Sequence, residues 1–264
     1  MRPAEITKQI LTRRRSPRTE LHWVSRISMQ TPGGTTPEQQ FATVQSEIGG
    51  WDWVAIDPML VRTSKGLRHG FTGALYFWQR TRSHIWCESQ AERWEVLWLD
   101  FSGEVERLWA QPLAIAFGLD SRLAEYWHIP DFMAQFRNGS FGLYDVRPVE
   151  RIDDRAKLQF EETAKVCNVL GWQYKVLTGH DIRATQNLNG LSVSRHDRCK
   201  PAPPAEALIL DLARFGATRR ELCLAASPSC PPLACAWVDY LAWHRQLTVS
   251  LNAPLTSDTV YTTT

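Results

Sequence analysis

One stretch restricts the fold of this chain more than any other, because its pattern is strand, helix, strand. Residues 141–146 favour a strand, and a helix is predicted from about residue 153 to residue 170. An Asp pair fit for capping opens this helix, and Gly171 follows it. Residues 172–177 then alternate as a second strand. Strands joined through a helix run parallel, so the sequence predicts an α/β fold with a mixed central sheet flanked by helices.

The segments before this unit supply further strands and a second helix. Strands are predicted at 73–78 and 84–86, and residues 108–117 form an extended segment interrupted by Pro112. Residues 132–136 and 141–146 pair as a hairpin around residues 137–140. The second helix, about 87–101, ends before Gly103. Its apolar stripe has helical spacing and consists of Cys87, Ala91, Trp94, Trp98 and Phe101.

Composition divides the 264 residues into three parts. Residues 1–65 are predicted to be a basic, partly disordered N-terminal extension. The first 30 residues contain seven Lys and Arg but only two Glu. Such an arm is either an electrostatic handle for a polyanion or a solvated tail. Residues 66–190 form the predicted core. Residues 201–264 begin with a Pro-rich linker, residues 201–204, and form a winged-helix-like α+β module.

The predicted C-terminal module has three short helices and a two-stranded tail. The helices are expected at about 205–215, 218–226 and 232–244, and the strands at 247–251 and 259–262. The third helix is rich in Trp and Leu and has few basic residues. Helices that read the major groove normally carry Arg, Lys, Asn or Gln. The module therefore favours packing or protein docking over base recognition.

Three acidic positions suggest a metal site. Asp145 and Arg147 lie on the same face of their strand, because strand side chains alternate. A two-residue hairpin turn would put Asp131 on the other face, whereas a three-residue loop, 138–140, would set Asp131 opposite Arg147 and Asp145 opposite Met133. Glu92 is central in an acidic helix stripe and could complete the set. The alternatives are that Asp145 and Arg147 pair with each other or with helix ends, and that the acidic stripe is a solvated edge.

These residues suit hydrolysis assisted by a hard divalent cation. A carboxylate pair holds Mg²⁺ or Mn²⁺, which neutralises the repulsion between the acids and lowers the pKa of a bound water. Arg147 can stabilise charge but cannot accept a proton, because its own pKa is too high. A zinc site is a weaker hypothesis, since the spacings of its candidate ligands match no familiar frame. Those ligands are His196, Cys199, Cys223, Cys230 and Cys235.

The sequence also favours a reduced, cytoplasmic protein. Its six cysteines include no CxxC pair. No apolar run approaches the roughly 20 residues that span a bilayer, and the Arg-rich N-terminus lacks the apolar core of a secretory signal. We therefore expect no membrane association. A phosphate-binding Gly-rich loop, a GxSxG elbow and an HExxH helix are absent from the sequence, which disfavours several other enzyme classes.

An ordered set of short motifs resembles one family. The motifs are Ser89-Gln90-Ala91-Glu92, Leu99-Asp100-Phe101, Gln111-Pro112, His128-Ile129-Pro130-Asp131-Phe132, Asp145-Val146-Arg147-Pro148 and Gly171-Trp172. Between about residues 73 and 177 their order resembles TnsA-like endonuclease subunits of heteromeric transposases. These subunits belong to the PD-(D/E)xK restriction-endonuclease-like superfamily. The resemblance implies a restriction-endonuclease-like core.

The resemblance also implies residue roles and partners. Glu92, Asp131 and Asp145 would bind Mg²⁺ or Mn²⁺ and, with Arg147 where the family has Lys, would form the catalytic set. The expected partners are double-stranded DNA at transposon ends, a DDE-type transposase subunit and an AAA+ ATPase regulator, with nucleoid association during transposition. Candidate DNA contacts are Arg13, Arg14, Arg15, Arg18 and His128. The expected activity is nicking on the 5′ side of each end, and the alternative is a non-cleaving adapter that binds DNA and the partner proteins.

Overall fold

The computed structural model describes residues 16–26, 37–60 and 73–264. Two compact units are present, one of residues 1–95 with 104–179 and one of residues 96–103 with 180–264. The strands are β1 (Glu20–Arg26), β2 (Pro37–Thr43), β3 (Ala74–Trp78), β4 (Ser83–Cys87), β5 (Val105–Ala110), β6 (Leu113–Ala116), β7 (Trp127–His128), β8 (Phe132–Phe136), β9 (Phe141–Val146), β10 (Gln173–Leu177), β11 (Ala217–Thr218), β12 (Leu247–Thr248) and β13 (Val260–Thr263). The helices are α1 (Ser46–Gly49), α2 (Trp53–Ile56), α3 (Gln90–Ser102), α4 (Asp154–Leu170), α5 (Ile182–Leu191), α6 (Pro203–Ala213), α7 (Arg219–Ala226) and α8 (Pro231–Trp243).

The central sheet of the first unit is mixed, which confirms the prediction. Its order is β10-β9-β8-β5, with β9 and β10 parallel and the other pairs antiparallel. Helix α4 makes the crossover between β9 and β10. The Asp153 side chain caps this helix by accepting a hydrogen bond from the Ala156 amide at 2.7 Å. At its other end Gly171 adopts a left-handed φ of 70°.

The loop of the β8–β9 hairpin has three residues, as predicted, but it begins one residue earlier in the chain than predicted. The loop is residues 137–139, closed by a 2.9 Å bond from the Phe136 amide to the Ser140 carbonyl. Gly139 takes the left-handed position, with φ 84°. Met133 consequently faces Leu143 instead of Asp145. Continued by one residue, the register sets Asp131 opposite Asp145, so both acids still share a face.

A second sheet includes part of the segment predicted as a basic, partly disordered N-terminal extension, residues 1–65. Strands β1 and β2 join β6 and β7 in the order β2-β1-β6-β7. Trp23 of β1 and Trp53 of α2 are buried together, with ring centroids 5.3 Å apart. They belong to the same apolar core as Met133 and Leu143. The basic composition hid the alternating apolar residues of β1. Residues 1–15, 27–36 and 61–72 of the predicted extension and core lie outside the described residues.

Helix α3 buries a different face from the one predicted. Cys87 belongs to β4, and the fully covered side chains of the helix include Glu95, Val96 and Leu97. Trp94, Trp98 and Phe101 of the predicted stripe are only half-buried. The end of the helix is as predicted, since Gly103 has a left-handed φ of 69°. Large aromatic side chains at helical spacing were thus a poor guide to the face that packs.

The second unit contains the three predicted C-terminal helices, α6 to α8, together with α5. Its sheet has three strands in the order β11-β13-β12, one more than predicted. Thr218 and Glu221 form a reciprocal capping box at the start of α7. Pro203 and Pro204, predicted as linker, occupy the first turn of α6. Within the described ranges, no helix is long and apolar enough to cross a membrane.

Candidate active site

Asp145 lies near the end of β9 and is 4% exposed. Its Oδ2 atom accepts hydrogen bonds from the Tyr174 hydroxyl and, at 2.9 Å, from Nε2 of His128. Burial, with the neighbouring Asp145 charge, raises the pKa of the Tyr174 phenol well above its usual range. Tyr174 therefore remains protonated and donates. Because both donors reach Oδ2, the orientation of the carboxylate is fixed and Oδ1 is the oxygen through which Asp145 can meet a cation.

His128 belongs to β7 and is buried, which does not suit the predicted DNA contact. Its Nδ1 atom lies 2.8 Å from the amide nitrogen of Gln159 on α4. With that nitrogen as donor, Nδ1 accepts and Nε2 carries the proton that bonds Asp145. Both ring nitrogens are therefore engaged inside the unit, and His128 acts as a link between α4 and Asp145. Gln159 and Tyr174 were not singled out in the sequence. The alternation of residues 172–177 does place Tyr174 on one face of the strand next to Asp145.

Asp131 immediately precedes β8 and is anchored to the partner strand. Its Oδ2 atom accepts a 2.7 Å hydrogen bond from the Val146 amide, next to Asp145. Its carbonyl accepts from the Gln111 amide at 2.8 Å, which ties it to the end of β5. The structure thus brings two of the three predicted acids to one end of the hairpin.

Arg147 is exposed and does not pair with Asp145. Its Nε atom donates to the Arg151 carbonyl at 2.9 Å, at the end of a short 3₁₀ turn. Its backbone amide bonds the Leu177 carbonyl of β10. The predicted alternative of a direct Asp145–Arg147 pair is therefore absent, while the guanidinium does contact the end of a helical turn.

Glu92 lies at the start of helix α3. Its two carboxylate oxygens accept from the Glu88 amide at 2.7 Å and from the Ser89 hydroxyl at 2.8 Å. Ser89 in turn accepts from the Glu92 amide at 3.1 Å. The Ser89 side chain is therefore the N-cap that the S-x-x-E signature of the sequence indicated, while the Glu92 carboxylate bonds the Glu88 amide and not the Ser89 amide that a capping box would use. Local hydrogen bonding thus competes with the predicted metal role.

Glu95 is the acid of α3 that reaches the end of the central sheet. It is buried, and its Oε1 atom accepts from the Gly179 amide at 2.8 Å, just beyond β10. In the part of the chain that the structure describes, no cluster of three or more Asp, Glu, His or Cys side chains could hold a metal. Glu92, Asp131 and Asp145 are therefore not gathered around one ion position, and neither are the candidate zinc ligands from His196 to Cys235.

The two strand acids still match the chemistry of magnesium. This ion is usually bound by only one or two carboxylates and completes its shell with water and substrate phosphates. Asp131, just before β8, and Asp145, on β9, offer carboxylate oxygens, which are the ligand type that the ion prefers. A site completed by a DNA phosphate would need no third acid.

A cavity of about 560 Å³ lies beside β5 in the same unit. Arg107 and Trp109 line it, and the guanidinium lies over the indole ring at 5.7 Å. Among the described residues the side chain of Arg107 makes no hydrogen bond or ion pair, and its Nε atom is buried without a partner. A cation left in this way is suited to an anionic ligand. No sequence motif pointed to Arg107.

Of the four arginines of the basic arm predicted to contact DNA, Arg18 lies among the described residues and is exposed. Arg13, Arg14 and Arg15 lie outside the described residues. No protein-family model matches the chain, and no curated protein matches it.

Proposed function

We propose that this chain is a metal-dependent DNA endonuclease subunit of a heteromeric transposase, which nicks the 5′ side of transposon ends. The single observation that carries the proposal is the placement of Asp131 and Asp145 on one face at one end of the β8–β9 hairpin. The element order around them, a helix, three antiparallel strands, a crossover helix and a parallel strand, supports a restriction-endonuclease-like core.

In this proposal Asp131 and Asp145 hold Mg²⁺ or Mn²⁺ against the scissile phosphate. The ion would supply a bound water of lowered pKa and would neutralise charge on the phosphate. Tyr174 and His128 are positioning residues, because they orient Asp145 and touch neither substrate nor ion. Arg147 contributes electrostatic stabilisation at the phosphate and no proton transfer, since guanidinium groups stay protonated.

The DNA-binding and docking surfaces belong to the same proposal. Arg107 in its cavity and the exposed Arg18 are cations available for backbone phosphates. The helix and strand order of residues 203–263 supports a winged-helix-like module that docks DNA or the partner proteins. The partners would be a DDE-type transposase subunit and an AAA+ ATPase, in the cytoplasm and at the nucleoid.

A second candidate is a non-cleaving adapter of the same complex. Two observations favour it. Both Glu92 carboxylate oxygens accept hydrogen bonds at the start of α3, and Arg147 stands where the family pattern has Lys. Such a chain would keep the fold and the DNA contacts and would leave all cleavage to its partners.

A nicking assay separates the two candidates. Labelled DNA from the flanks of the element is incubated with the chain, both partners and Mg²⁺ or Mn²⁺, and 5′-side nicks are mapped. The endonuclease proposal predicts nicks that disappear in Asp131→Asn and Asp145→Asn, with partner binding unchanged. Wild-type chain that joins the complex and binds the ends but never nicks would establish the adapter.

A further inference from the structure

Two cysteines of the second unit face each other across neighbouring helices. Cys223 lies on α7 and Cys235 on α8, and their Sγ atoms are 3.3 Å apart. Cys223 is 3% exposed, whereas Cys235 is half-buried. Neither residue takes part in the proposed active site, which lies in the other unit.

The separation is close to what a disulfide requires. A disulfide bond is about 2.05 Å long, so the two sulfurs would need to approach by only about 1.3 Å. Side-chain rotation can supply a movement of this size while the helices keep their packing. The thiols therefore already lie in near-bonding positions.

We propose that Cys223 and Cys235 are an oxidation site, at which hydrogen peroxide converts the two thiols into a disulfide. The Cys235 thiolate attacks one peroxide oxygen, the O–O bond breaks, and hydroxide leaves to become water. The Cys235 sulfur is then a sulfenic acid. The Cys223 sulfur attacks it, the S–S bond forms, the S–O bond breaks, and a second water leaves with the thiol proton. The two sulfurs together lose two electrons, and the peroxide gains them.

The order of the two sulfurs follows from their surroundings. Hydrogen peroxide reaches the half-buried Cys235 more easily than Cys223. Burial, with hydrogen bonding and charge from Cys235, raises the pKa of the Cys223 thiol to about 12. Cys223 therefore suits the second step, in which the electrophile is held beside it. The charged groups that act on this pair are Arg219 of α7 and Asp239 of α8, with Tyr261 of β13 nearby.

Arg219 gives the site a positive group with an unused donor. Its Nη2 atom bonds Asp239 at 2.6 Å, while its Nε atom is buried with no partner among the described residues. The guanidinium lowers the pKa of Cys223 in opposition to burial. A fixed cation beside the pair thus favours the Cys223 thiolate, which the second step of the oxidation requires.

The disulfide would close a short loop from α7 to α8. Cross-linking removes conformational freedom from the unfolded chain, so the oxidised unit is expected to melt at a higher temperature. The neighbouring Cys230 is exposed and Cys199 is half-buried. These two thiols provide matched controls within the same unit.

The test is oxidation of the purified full chain with hydrogen peroxide, followed by thiol counting and peptide mass spectrometry. We expect the loss of two thiols per chain, a cross-linked peptide joining Cys223 to Cys235, and full reversal by dithiothreitol. Cys230→Ser and Cys199→Ser should form the same cross-link. Cys223→Ser should instead accumulate a sulfenic acid at Cys235 that reacts with dimedone.

Two results would overturn the proposal. One is wild-type chain in which peroxide modifies Cys230 or Cys199 while Cys223 and Cys235 stay reduced. The other is a cross-link that always joins two chains. Both results are read on the wild type, so the outcome does not depend on how well any variant folds. It is also independent of nicking activity.

Discussion

At the scale of single residues, the structure separates acids that hold elements together from acids that can meet a ligand. Glu162 of α4 is 4% exposed and accepts hydrogen bonds from Lys165, Ser121 and Arg122 at 2.7 to 2.8 Å. Asp145 has Tyr174 and His128 on one oxygen only. The hydrogen bonds of Glu162 occupy both of its carboxylate oxygens, whereas those of Asp145 orient the carboxylate and leave Oδ1 for a ligand.

Tyr174→Phe removes one of the two donors that orient Asp145. By analogy with groups that orient metal ligands, nicking is expected to fall about 10-fold to 100-fold while DNA affinity stays unchanged. Quantified nicking and fluorescence anisotropy on the same end DNA measure the two effects. Tyr144→Phe is the control, because Tyr144 is a buried tyrosine of β9, the strand that carries Asp145, and lies on the other face of that strand. Equal nicking by the Tyr174 and Tyr144 variants would contradict the positioning role.

Glu162→Gln should destabilise the protein in a pH-dependent manner. Burial raises the pKa of this carboxyl, but hydrogen bonds from Lys165, Ser121 and Arg122 outweigh it and lower the pKa from 4.5 to about 2. The carboxylate therefore stabilises the fold above about pH 4.5, and this contribution is lost as the pH falls toward 2. Its size is on the order of 2 kcal/mol, since Arg122 and Lys165 are more than half exposed and water screens them.

Urea unfolding of wild type and Glu162→Gln between pH 7 and pH 3 measures this effect. The difference in unfolding free energy should be largest at pH 7 and should shrink as the pH falls. Glu161→Gln, at an exposed neighbouring position, should change little. A difference that grows toward low pH would show that the carboxylate is not held in its charged form.

At the scale of elements, the ends of α3 and of the β8–β9 hairpin determine which acids meet. Both ends carry local sequence signals, namely S-x-x-E before the helix and Asn138-Gly139 in the loop. A three-residue loop could be predicted, because only a loop with an odd number of residues puts Asp131 and Asp145 on one face. Which three residues form it depends on the position at which Gly139 takes its positive φ. The role of Glu92 at the start of α3 could be predicted from the S-x-x-E motif, which also contains the residue proposed as a metal ligand.

Glu92→Ala is expected to lower the free energy of unfolding by about 1 kcal/mol, because the Glu88 amide and the Ser89 hydroxyl lose their acceptor at the start of α3. Nicking should persist at temperatures where the variant remains folded. Thermal unfolding followed by circular dichroism, with nicking measured well below the transition, provides both values. Glu88→Ala is a neighbouring control, since it keeps the backbone amide that bonds Glu92. Abolished nicking at unchanged stability would restore Glu92 to the metal site.

At the scale of the whole molecule, the parallel crossover and the C-terminal helices could be predicted, since each depends on local periodicity and caps. Strands β1 and β2 could not, because their burial depends on pairing with β6, far along the chain. The same holds for the contacts of His128, which join β7, β9 and α4. The burial of β1 and β2 is thus determined by pairing with distant strands, and the basic composition of the N-terminal residues did not indicate it.

Arg107→Gln is expected to weaken DNA binding in a manner that depends on salt. If Arg107 neutralises one backbone phosphate, the slope of log affinity against log salt should fall by about one. Fluorescence anisotropy across a salt series measures this slope. Arg137→Gln, at an exposed position facing Glu106, is the matched control. Identical slopes for wild type and Arg107→Gln would exclude a phosphate contact in the cavity.

The central claim is that Asp131 and Asp145 bind one divalent cation together. Electron paramagnetic resonance tests it most directly, by measuring Mn²⁺ binding in the presence of end DNA with a non-hydrolysable linkage at the cut position. The account predicts bound Mn²⁺ that is lost in both Asp131→Asn and Asp145→Asn and kept in Glu92→Gln. Wild-type chain that binds no Mn²⁺, or Asp131 and Asp145 variants that bind it as wild type does, would contradict the account.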